Sequence, residues 1–237
     1  MINFYNSQNG LLVPLAERSD GCWVSVINPT SDEVSQLIDV YGLDSGFVKS
    51  SIDEEESSRI EIEDNQTLVI VDTPVSSVDS EENRLFYTQP LGIIITDKNV
   101  FTISLQETQL LHEAVEGTVK NLRPAFKTRF VLQLLLRIAG LFLIHLKQID
   151  KISSAAEQEL HDAMKNELLM QLLALEKSLV YFSTSLKANE ATIEKIFRGR
   201  VMKLYDEDQD LLEDVLIEMK QAIEMASIYT GILPSMM

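Results

Sequence analysis

Two periodicities run along the chain, and one gives way to the other near Pro124. Before that point short apolar runs alternate with turn residues. Cys22-Trp23-Val24-Ser25-Val26-Ile27 is rich in strand formers and closes on Asn28-Pro29. Thr30 precedes Glu33 at the spacing of a capping box, in which the hydroxyl caps the helix and the glutamate reaches back to the cap. A helix through Leu37, Ile38 and Tyr41 is therefore expected, stopped by Gly42. Gly46 to Ser51 reads as a second short helix. Arg59-Ile60-Glu61-Ile62-Glu63 alternates apolar and charged residues as a half-buried strand does, and Thr67 to Val71 is apolar enough for an inner strand. Leu85-Phe86-Tyr87 continues through Pro90 into Leu91-Gly92-Ile93-Ile94-Ile95, and Asp97-Lys98-Asn99 turns the chain into Val100-Phe101-Thr102-Ile103. The expectation over 1–123 is an α/β domain, a mixed sheet flanked by helices.

Beyond Pro124 glycines are isolated, no proline occurs before Pro234, and strong helix formers dominate. Three long helices are expected, about 127–162, 165–198 and 207–233. The first two form a long helical hairpin within 124–206, and the third is a stalk helix within 207–237, α+β overall. Leu212, Val215, Met219, Ala222, Ala226, Tyr229 and Leu233 recur at alternating spacings of three and four, a heptad seam that needs another helix against it. The preceding helices of the same chain and a second copy both meet that need. Phe130 to Leu146 is the longest apolar stretch, but Gln133, Arg137 and His145 interrupt it, and a membrane span takes about 20 predominantly apolar residues. It reads as a helix buried in protein. Ile232 to Met237 is apolar and uncharged, which suggests a chain cut short before further segments; Pro234 is the counter-argument, because it suits a natural helix stop.

Charge narrows the partners. Against 37 Asp and Glu stand 20 Lys and Arg, a formal net charge of −17, so the basic footprint that binds phosphates along nucleic acid is missing. The acidity favours cations, and it also simply keeps a protein soluble. Cys22 is the sole cysteine, which excludes an intrachain disulfide and a cysteine-based zinc cluster and suits a reducing cytosol. His112, His145 and His161 lie far apart without His-Glu-x-x-His spacing, and no glycine-rich phosphate loop follows a strand. His145, on an apolar helix, reads as a packed histidine. No enzyme is expected.

The candidate chemistry lies in carboxylates. Asp53-Glu54-Glu55-Glu56 is an acidic run between a short helix and a strand. Asp206-Glu207-Asp208 and Asp210 precede the last helix, which carries Glu213, Asp214 and Glu218, with Asp214 and Glu218 one turn apart. Like charges at that spacing repel by a few tenths of a kcal/mol. A hydrated Mg²⁺, which keeps its waters and is held through one or two carboxylates, relieves such repulsion. Taken alone, each run is more simply a solvated acidic face, and spacing by itself identifies no metal site.

The order of these elements resembles the cytoplasmic region of the CorA family of magnesium channels across nearly the whole chain. The resemblance rests on Trp23-Val24-Ser25-Val26 with Pro29-Thr30, Glu33, Leu37 and Tyr41-Gly42-Leu43; on Asp53 to Glu56 leading into Arg59-Ile60-Glu61; on Pro90-Leu91-Gly92-Ile93-Ile94 with Asn99 to Ile103; and on Gln148-Ile149-Asp150 and Glu213-Asp214-Val215. It implies a subunit of a homopentameric funnel on the cytoplasmic side of the cell membrane, anchored by C-terminal spanning helices beyond these residues. It further implies a Mg²⁺ sensor in which carboxylates of adjacent subunits hold hydrated ions and stabilise the closed state. By position, Asp53 with Glu54 matches the acid of the α/β domain, and Asp214, with Glu218 beside it, matches the acid facing it from the neighbour. These four are the expected metal ligands, for Mg²⁺ as regulator and transported ion, with Zn²⁺ or Co²⁺ as alternatives. The chain departs from the family pattern in four ways. The spacing from the acidic run to Arg59 is one residue shorter than in the better-known members, which leaves the roles of Asp53 and Glu54 interchangeable. Arg59-Ile60-Glu61 stands where many members have Arg-Pro-Lys. Gly140-Leu141 stands where some offer a second acidic pair. The Gly-Met-Asn pore signature does not occur. The zinc-transporting branch of the superfamily and a cytosolic helical interaction protein are the competing readings.

Overall fold

The computed structural model describes residues 1–78, 84–162, 166–199, 202 and 204–236. The chain opens with two strands, β1 (Ile2–Gln8) and β2 (Leu11–Leu15). They pair antiparallel through a turn at Asn9-Gly10, where both residues have positive φ (54° and 82°). Asn-Gly tolerates that conformation, which makes the dipeptide a strong hairpin signal. This hairpin is not marked by hydrophobic period, because β1 mixes apolar and polar residues without a regular repeat and β2 is a short apolar run broken by Pro14. β3 (Trp23–Ile27), α1 (Ser31–Asp39) and α2 (Ser45–Ser51) follow. The expected capping box on α1 is present, with Thr30 and Glu33 bonding reciprocally.

β4 (Arg59–Glu63), β5 (Gln66–Val78), β6 (Arg84–Ile95) and β7 (Val100–Ser104) complete one seven-stranded sheet in the order β2-β1-β3-β7-β6-β5-β4. Only β3 and β7 run parallel; the other neighbours are antiparallel. β6 passes straight through Pro90, as expected. β7 pairs with it only from Gly92 onward, so Pro90 lies where β6 has a single neighbouring strand. The sheet is buried on both faces. α1 and α2 cover one, over Leu37, Phe47, Val48, Leu68, Ile70 and Phe101.

The other face is covered by helices. α3 (Gln109–Val115) leads into α4 (Lys127–Asp162), α5 (Asn166–Gly199) and α6 (Asp206–Ile232), which ends in a 3-10 turn (Leu233–Met236). The three long helices fall within a residue of the expected ranges; residue 165 lies outside the described residues. A single apolar cluster joins Trp23, Val69, Val71 and Ile93 of the sheet to Phe130, Phe142, Phe182, Leu212 and Met219 of the helices. α4 is long and apolar enough to cross a membrane by length and composition, yet most of that stretch is buried here, including Phe130 to Leu135 apart from Gln133. The heptad seam of α6 is buried within the same protomer. Leu212, Val215, Met219, Ala222 and Ala226 are fully covered, and α6 packs chiefly on α4 and α5. The first of the two partners open to that seam therefore occupies it.

Candidate metal centre

The acidic run begins where α2 ends. α2 sits so close to the sheet that a Cβ built on Gly92 of β6 would lie 2.1 Å from the Ser51 hydroxyl oxygen. Only glycine admits that approach, which fixes the exit of α2 and the loop after it. In the loop the Asp53 carboxylate accepts from the Glu55 N–H at 3.0 Å, folding the acids into a tight turn. Arg59 then removes one acid from the set. Its guanidinium pairs with Glu56, with Glu61 at 2.9 Å, and donates to the Ser50 hydroxyl at 2.9 Å. Asp53, Glu54 and Glu55 remain exposed, and none has an ion-pair partner among the described residues.

α6 starts one residue earlier than expected, so Asp206, Glu207 and Asp208 form its first turn, where negative charge complements the helix dipole. Two of these acids are committed. Glu207 pairs with Arg129 at 2.6 Å, and the buried Asp208 accepts from the Tyr205 N–H at 3.1 Å. One turn further on, the helix turns Asp210, Glu213 and Asp214 outward, opposite the buried seam; Glu218 is half-buried. Asp214 and Glu218 have no cationic partner among the described residues.

The two acidic groups do not meet inside one protomer. α2 packs on one face of the sheet, and α6 lies outside α4 and α5 on the other. Among the described residues no three His, Cys, Asp or Glu side chains converge on a point where an ion could be caged. The available donors are exposed carboxylate oxygens, which suit a hard cation held through its own waters rather than a dehydrated ion.

A family model described as CorA-like Mg²⁺ transporter protein matches residues 18–237. The chain belongs to that family. The curated cobalt/magnesium transport protein CorA of Methanocaldococcus jannaschii is 26% identical over 227 residues, covering 91% of this chain and 67% of that protein. Among solved structures, the complete CorA magnesium transporter of M. jannaschii superposes with a TM-score of 0.84 at 23% identity, over 100% of this chain and 75% of that one. The soluble domain of the same CorA gives 0.83 at 23% identity, over 100% and 94%. The ZntB cytoplasmic domain of Vibrio parahaemolyticus gives 0.74 at 10% identity, over 99% and 93%. At these identities the superpositions speak for the fold.

In this CorA-family chain the partly buried carboxylates of Asp72 and Glu113 have shifted pKa values, and neither is singled out as a site by its sequence pattern. Asp72 on β5 sits against α5. Its backbone N–H donates to Asn189 Oδ1 and its carbonyl accepts from Asn189 Nδ2, both at 2.9 Å. Burial pushes its carboxyl pKa up, and a hydrogen bond from Ser185 opposes that shift. Glu113 on α3 takes two bonds from Arg137, at 2.5 and 2.8 Å, which hold its carboxyl below the ordinary value. Arg137, the residue that argued against a membrane span, is thus spent on a carboxylate within the protein. A charge inside an apolar run is the signal that leads to this pair; Asp72 offers none, because one acid after an apolar run looks in sequence like any other surface acid.

Proposed function

We propose that this chain is the cytoplasmic, ion-sensing region of a CorA-like divalent-cation channel. In this reading carboxylates of adjacent subunits, Asp53 and Glu54 of one and Asp214 and Glu218 of the next, hold hydrated Mg²⁺ and stabilise the closed assembly, a homopentamer. No catalysis is involved. The observation that carries the proposal is that these four acids have no ion-pair partner among the described residues and lie on elements packed on opposite sides of the sheet, in a protomer belonging to this family. A second subunit is the simplest means of bringing the two groups within reach of one ion. Bridging by a dication offsets the repulsion between like charges at the boundary, so binding is linked to association.

The test is a Mg²⁺ titration of the chain, followed by thermal melting and by size in solution. At about a hundredfold excess over Kd, binding to the native state alone adds roughly 2–3 kcal/mol. Asp53→Asn combined with Asp214→Asn is expected to abolish most of that gain. A wild-type protein that responds to millimolar Mg²⁺ in neither readout, or a double variant that responds in full, refutes the proposal. The same titration with Zn²⁺ and Co²⁺ ranks the ions.

A further inference from the structure

A cleft of about 470 Å³ opens between the start of β6, the last turns of α4 and the first turns of α5. Its floor is apolar, made by Ile152, Ala156 and Leu168. Its rim carries Arg84 and Lys151, with Glu159 as the lining carboxylate. Two cations against one acid is unusual in a chain of net charge −17, where acids outnumber bases by 37 to 20. Among the described residues neither cation meets a carboxylate: Arg84 donates to the neutral side chain of Gln148, at 3.3 Å, and Lys151 has no ion pair. Arg59, Arg129, Arg137 and Arg198, by contrast, each meet a carboxylate. The volume lies in the usual range of small-ligand sites, and an apolar floor with a few convergent polar groups is their usual lining.

We propose that this cleft binds a phosphate-bearing anion with an apolar portion, the phosphate on Arg84 and Lys151 and the apolar portion over Ile152, Ala156 and Leu168. An arginine guanidinium presents a fork of donors matched to phosphate oxygens, and a lysine adds a point charge, so the pair recognises a phosphate rather than a generic anion. The floor makes the ligand more than inorganic phosphate. A phospholipid headgroup with the start of its chains and a nucleotide with its base both have this chemistry. The site is independent of the divalent-cation reading, since it uses none of the acidic groups.

The experiment titrates the chain in Mg²⁺-free buffer with three probes: inorganic phosphate, ATP, and dihexanoyl phosphatidylglycerol below its micellar concentration. Binding is followed by calorimetry. Saturable binding of ATP or of the lipid, at least about tenfold tighter than inorganic phosphate, is expected. Which of the two saturates identifies the source. Arg84→Gln with Lys151→Gln is expected to weaken that binding by at least about tenfold, while Lys120→Gln with Lys187→Gln, which removes the same charge from exposed positions elsewhere, leaves it unchanged. Arg84 and Lys151 are exposed, so their loss leaves the fold intact, and an unchanged melting temperature verifies it. No saturable binding, equal affinity for inorganic phosphate, or a double variant within twofold of wild type each overturns the proposal.

Discussion

Acidification from pH 7.5 to 5.0 is expected to remove about 2 kcal/mol of stability through one side chain, His145. The residue lies on α4 at 2% exposure, its ring packed against Phe86 and Phe182, and its Nδ1 has no hydrogen-bond partner among the described residues. Burial, and then the positive charge of Arg84, push its pKa from 6.5 down to about 4, against a small opposing pull from Glu113. The folded protein therefore needs a neutral imidazole, while the unfolded chain takes up a proton near pH 6.5. Stability from this group is fully present above pH 6.5 and declines toward pH 4, by about 1.4 kcal/mol per unit in between. Urea unfolding of wild type and His145→Phe at the two pH values isolates it. Glu113, whose pKa is lowered, loses stability on acidification, and Asp72, whose pKa is raised, gains it, but both act alike in the two proteins. The wild type is expected to lose about 2 kcal/mol more than the variant. Parallel profiles, within a few tenths of a kcal/mol, refute the assignment, as does a His145 NMR titration midpoint near 6.5.

Gly92→Ala is expected to destabilise by about 1–3 kcal/mol, because the new Cβ collides with Ser51 and forces α2 off the sheet. Adding Ser51→Gly should recover part of that loss in the same chemical-denaturation assay. Asn189→Ala strands the backbone N–H and C=O of Asp72 and the Ser58 hydroxyl, which donates to Asn189 Oδ1 at 2.9 Å; a loss of about 2–4 kcal/mol is expected by urea unfolding. Leu212→Ala is expected to cost about 2–5 kcal/mol without altering size in solution, because its seam is satisfied inside the protomer. A change in oligomer size with little change in stability would contradict that placement.

Much of the fold was legible because local signals and tertiary packing agree. Thr30 with Glu33 sets the start of α1, and the apolar periods of the last 110 or so residues fix three long helices to within a residue. The first hairpin escaped a reading based on period, since β1 carries Asn3, Asn6 and Ser7 among its apolar residues and β2 is only five residues long; register and Asn9-Gly10 hold the pair instead. The seam of α6 shows the limit of a heptad argument: spacing dictates that a helix face is covered, and only the fold says by what. The acidic run was equally visible, but not its division. That Arg59 takes Glu56 and leaves Asp53 and Glu54 depends on a guanidinium reaching back across the loop, and that Asp208 turns inward while Asp214 turns outward depends on where α6 begins.

That division bears on how an ion could act. The two sides of α6 have opposite chemistry: one is filled by Leu212, Val215 and Met219 against α4 and α5, the other bears Asp210, Asp214 and Glu224 with exposed Ile217 and Ile228 between them. The inner side needs nothing further to fold. The outer side offers apolar contact to another copy but sets carboxylates beside it, and like charges brought together at a partly desolvated boundary repel more strongly than in open water. Under the ion-sensing proposal a dication acts only on that second balance. Mg²⁺ should then shift association and its salt dependence while the circular dichroism of the protomer stays constant. Helical signal that rises with Mg²⁺ would mean instead that the ion folds the chain, and the sensing mechanism would have to be sought within one subunit.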